Sequence, residues 1–82
     1  MTPTKEQIDE QCRLMNNQWE TLRTYRGAHV HECASLMNWI INQVPNIQAF
    51  YKLGRMDKVA EIYNGNIKMM EKTSKFIHDN IL

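Results

Sequence analysis

The stretch TYRGAHVHEC, Thr24 to Cys33, decides how this chain is built. It is either the middle of one long helix or the joint between two. It also holds the densest group of reactive side chains: two histidines, a glutamate and a cysteine just after a glycine. Upstream, apolar residues recur at Ile8, Cys12, Met15, Trp19 and Leu22 in alternating steps of four and three, the signature of one helix face. The same register passes through Arg26 and His29 to Cys33, Leu36 and Ile40, widened by Val30, Met37, Ile41 and Val44. No Ser, Thr, Asp or Asn lies between 25 and 31 to cap a new helix. A mid-helix glycine costs roughly 0.5–1 kcal/mol relative to alanine, enough to bend a helix without ending it. The pattern therefore favours one helix from about Thr4 to Gln43, bent or weakened at Gly27, over two helices split there.

The outer boundaries are better marked. Thr4 and Gln7 form a capping-box pair at the start, and Glu6, Asp9 and Glu10 suit the positive end of the helix dipole. Val44 precedes Pro45, whose ring disfavours helical geometry in the residue before it, so the first helix is expected to stop there. A short helix carrying Ile47, Phe50 and Leu53 would follow, capped by Asn46 and ended by Gly54 in a left-handed conformation. Asp57 is the expected cap of a long C-terminal helix with the stripe Met56, Val59, Ala60, Tyr63, Ile67, Met70 and Ile77. Asn64-Gly65-Asn66 reads as a weak point within it. The fold class is all-α: a helical hairpin or small bundle forming one domain over residues 1–82.

The segment from Tyr51 to Met69 resembles the helix–turn–helix of a tetratricopeptide unit at Leu53, Gly54, Arg55, Asp57, Glu61 and Tyr63. It covers about half a repeat and occurs once, so it implies a tight hairpin at 54–57 and not a solenoid.

Composition narrows the function. Eighty-two residues with a net charge of +1 leave little room for an elaborate enzyme core. Acids and bases are interspersed, without the dense basic stripe expected of a nucleic-acid binder. The polar start and the short apolar runs predict no signal peptide and no membrane insertion. Two cysteines without framework spacing suit a reducing, cytoplasmic setting.

Placed on a helix, His29, Glu32 and Cys33 share a face at i, i+3 and i+4, while His31 points away. His29 and Cys33 are the pair zinc would recruit, but further ligands are lacking nearby, so the expectation is no metal and no cofactor. Cys33 reads as a small buried hydrophobe and His29 as a boundary residue. No oxyanion donor or pocket accompanies them, and no catalytic residue is expected. Lys68, Lys72 and Lys75 form a solvated face first and an acid-binding stripe second. An excess of amphipathic helix favours a non-enzymatic regulator that binds another protein and also self-associates. Its candidate contact residues are Trp19, Tyr25, Arg26, Met37, Trp39, Met69 and Met70.

In size, in its asparagine-, isoleucine- and lysine-bearing composition and in its plain helical build, the chain is similar to small early proteins of T-even-type phages. Among these it resembles the cytoplasmic antiholins that support lysis inhibition. The resemblance implies binding to the cytoplasmic segment of a holin and a delay in membrane permeabilisation; it assigns no role to any single residue. The alternative is a phage anti-defence protein that inhibits a host defence protein or sequesters a nucleotide signal, with Arg23, Tyr25 and Arg26 meeting phosphates and bases.

Overall fold

The computed structural model describes residues 2–82 as three helices: α1 (Lys5–Leu22), α2 (Val30–Lys52) and α3 (Met56–Asn80). They run up, down and up, so α1 and α3 are parallel and α2 is antiparallel to both. The bundle measures 41 × 17 × 16 Å. Ile8, Met15 and Leu22 of α1, Leu36, Ile40 and Ile47 of α2, and Val59, Phe76 and Ile77 of α3 meet in one core.

The joint at TYRGAHVHEC is a true break, which corrects the expectation of a continuous helix to Gln43. Helix α1 ends at Leu22 because its last carbonyls find partners in the loop. The Thr24 hydroxyl donates to Thr21 O at 2.7 Å, and the Tyr25 N–H to Leu22 O at 3.0 Å. The Arg26 guanidinium donates to the carbonyls of Arg23 and Tyr25. Across the joint, the Cys33 thiol donates to Leu22 O at 3.3 Å. The start of α2 has no local side-chain cap. Its substitute is Tyr25, whose hydroxyl accepts the His29 N–H at 2.9 Å. The Tyr25 ring packs edge-on against Phe76 of α3, 5.3 Å between centroids. Gly27 passes so close to this ring that a Cβ there would lie 2.2 Å from the Tyr25 hydroxyl. The glycine is needed for close approach and not as a hinge.

Pro45 does not end the second helix; it lies inside α2. An interior proline costs about 3 kcal/mol through the bond it cannot make to the carbonyl four residues back. Here that carbonyl belongs to Ile41, and both Ile41 and Pro45 are exposed, so water can take the lost bond. Continuing the helix keeps Ile40, Val44 and Ile47 on one buried face, and each such side chain contributes roughly 1.5–3 kcal/mol. Burial outweighs the proline.

The remaining boundaries divide. The Thr4–Gln7 capping box forms as expected, and Gly54 adopts φ 72° in the tight α2–α3 turn. Asp57 is not the cap of α3. Arg55 holds that position, and Asp57 pairs with its guanidinium at 3.2 Å, which holds the Asp57 carboxyl below the usual range. Helix α3 continues through Asn64-Gly65-Asn66 without a turn, as the unbroken phase of its stripe predicts.

Candidate functional site

The parallel pair α1 and α3 is joined by polar side chains. Gln11 and Asn66 are both buried, and the Asn66 amide donates to Gln11 Oε1 at 2.9 Å. Gln11 in turn donates through Nε2 to the Tyr63 carbonyl at 3.1 Å. One heptad later Gln18 repeats the arrangement, donating to the Met70 carbonyl at 3.1 Å and the Ser74 hydroxyl at 3.0 Å. The equal advance along both helices fixes their relative register. Thr73, fully buried on α3, donates to its own Met69 carbonyl at 2.8 Å. Two buried atoms of α1, Gln18 Oε1 at this seam and Trp19 Nε1, have no partner among the described residues.

Above the bridges lies an open groove. Its apolar floor and lips are Leu14 on α1 and Tyr63, Ile67 and Met70 on α3. It continues past Gln18 and Ser74 to Thr21 and Ile77. The α1 wall from Glu6 to Thr21 is about 22 Å long at 1.5 Å per residue, room for some four turns of a guest helix. Leu14 and Ile67 are each 40% exposed, a high value for large apolar residues facing each other across a groove. Glu6 and Glu10 lie at its start, and no Lys or Arg lines either half. Glu10 pairs with Arg13, whereas Glu6 makes no ion pair among the described residues. The groove can therefore take an apolar stripe and attract positive charge at one end.

The expected contact residues fall elsewhere, with one exception. Met70 lines the groove, while Trp19, Met37, Trp39 and Met69 are half-buried and pack against the core. Arg23 stacks over the Trp19 ring at 5.9 Å and pairs with Glu20 at 3.1 Å. Tyr25 and Arg26 are occupied in the joint described above. Ile67, expected in the core stripe of α3, is a groove residue; Asn66 and Thr73 hold the buried seam instead. Periodicity in hydrophobicity could not find Gln11, Gln18 or Asn66, since all three are polar. The seven-residue step from Gln11 to Gln18 was the available signal.

The histidine–cysteine cluster is pulled apart. His29 caps α2 and its carbonyl accepts the Cys33 N–H at 3.1 Å, but His29 and Glu32 are exposed while Cys33 is buried, so the three side chains do not gather as expected. His29 and Glu32 are exposed beside Lys72 and Lys75 in a shallow surface depression, and Lys75 pairs with Asp79 at 3.0 Å. Cys33 is buried, and burial pushes its thiol above the usual range. Cys12 is buried on α1 and raised for the same reason first, then by the Asp9 carboxylate. Among the described residues no group of three or more His, Cys, Asp or Glu side chains is gathered as a metal site would need. Among the same residues, no helix is long and apolar enough to cross a membrane. Comparison with protein-family models, curated proteins and solved structures gives no match.

Proposed function

We propose that the protein is a non-enzymatic regulator that binds an amphipathic helical segment of another protein in the α1–α3 groove. The observation that carries this reading is the separation of tasks along the α1–α3 seam. Polar bridges hold the two helices in register, so Leu14, Tyr63, Ile67 and Met70 are left for a guest. The fitting guest has an apolar stripe at helical spacing and Lys or Arg near one end, opposite Glu6 and Glu10. Taken with the resemblance to cytoplasmic antiholins, the guest is the cytoplasmic segment of a holin, and holding it would delay membrane permeabilisation.

The test is a fluorescence-anisotropy titration with a labelled synthetic peptide of a T-even-type holin cytoplasmic segment. Saturable binding is expected, lost in a Leu14→Asp/Ile67→Asp variant and weakened by Glu6→Lys and by salt. Binding unaffected by all three changes would remove the groove from the function. A second reading, sequestration of a nucleotide signal, would use the depression walled by Arg23, Thr24 and Arg26. It calls for a nucleotide-dependent rise in Tm by mass action.

A further inference from the structure

Helix α2 differs from its neighbours in charge. From Cys33 to Tyr51 it contains no Asp, Glu, Lys or Arg, whereas ionised side chains recur along both α1 and α3. Part of this neutral stretch is core, but part is exposed. Val30, Ala34, Met37 and Ile41 follow one another at i, i+4, i+7 and i+11, a continuous apolar stripe along the helix. Val30 is 55% and Ile41 53% exposed, Ala34 is exposed between them, and Met37 is half-buried against the core. The flanking exposed residues Ser35, Asn38 and Asn42 are polar but uncharged.

We infer that this face of α2 is the self-association surface of the protein, pairing two copies through antiparallel α2 helices about a two-fold axis near Asn38. In a two-fold contact a patch meets itself, so any charge near the axis meets its own like. The faces of α1 and α3 carry such charges; the α2 stripe does not. Its burial desolvates no ionised group, the ordinary condition of an interface core, and its polar cost includes the Ile41 carbonyl that Pro45 leaves unpaired. Antiparallel pairing sets Ala34 of one copy opposite Ile41 of the other, small against large, so the two stripes can interdigitate. A foreign partner is normally distinguished by charges, and α2 offers none between Glu32 and Lys52. No α2 residue lines the groove between α1 and α3, so pairing through α2 leaves each groove free. The inference stands on the α2 face alone and does not require the groove reading.

Sedimentation equilibrium from low micromolar to near-millimolar concentration tests it. The natural chain is expected to be dimeric. Ile41→Glu, at an exposed position, should keep the helical circular dichroism while weakening self-association by about 100-fold, since two interface centres are charged at once. Leu14→Glu, in the groove, should leave the dimer unchanged. Asn38→Cys should form an intermolecular disulfide on mild oxidation, whereas Leu14→Cys should not. The cross-link decides the matter if Ile41→Glu fails to fold. A monomer across the whole range, a dimer indifferent to Ile41→Glu, or one dissolved by Leu14→Glu would each overturn the proposal.

Discussion

The two sides of α1 are held by different physics. Toward α2 the contact is apolar, with Ile8, Met15 and Leu22 meeting Leu36, Ile40 and Ile47 in a core that excludes water. Toward α3 the buried positions include Gln11 and Asn66, and Gln18 bridges the same interface. An apolar contact is strong and tolerant of small shifts. A buried amide bridge adds only about 0.5–1.5 kcal/mol net, but leaving it half-made costs more than it gives. The difference suggests that α2 supplies cohesion while the α1–α3 seam sets register. A precise register lets the groove above it keep one shape.

The largest effect is expected on the apolar side. Ile47 is fully buried, and Ile47→Ala should cost about 2–5 kcal/mol, read in a urea titration as a lowered midpoint with an unchanged slope. On the polar side Gln11→Ala should cost less, about 1–3 kcal/mol, because Asn66 is left buried with an unmet amide. Replacing both partners sharpens the point. Gln11→Met with Asn66→Leu should return stability to within about 1 kcal/mol of the natural chain. If the double variant is as damaged as the single one, the bridge contributes more than register.

The joint between α1 and α2 gives a smaller effect. Gly27→Ala should destabilise by about 1–3 kcal/mol, because Tyr25 is pinned by Phe76 and by the His29 N–H and cannot yield freely to a new methyl group. A rise in Tm would show that the loop relaxes easily. The smallest effect lies in alkaline solution. The Cys12 and Cys33 thiols are raised in the folded chain, so the unfolded state loses their protons first. Their contribution is fully present below the ordinary thiol pKa of about 8.5 and declines as pH rises through the folded values. Labelling by a thiol reagent at neutral pH should accordingly track global unfolding.

Much of the helical build was legible in the residues. The Thr4–Gln7 pair announced the first helix, and the step of four and three from Ile8 to Leu22 announced its buried face. Gly54 announced the second turn. These are local features: a cap closes within one turn, and a left-handed glycine needs no distant neighbour. The groove was legible only in Met70 among the expected contact residues, because neither the exposure of Leu14 and Ile67 nor the bridging by Gln11 and Gln18 follows from their own helices.

What the sequence determined by itself was helix, turn and the apolar faces, since those depend on residues within a few positions of one another. The tertiary structure decided where helices end and continue. The first helix stops at Leu22 because Tyr25 can reach both Phe76 and the His29 N–H, a cap supplied from a preceding loop and braced by a third helix. The second passes through Pro45 because Val44 and Ile47 have a core to enter and Ile41 has water to face. In both places a local preference met a larger burial term, and the larger free energy set the boundary.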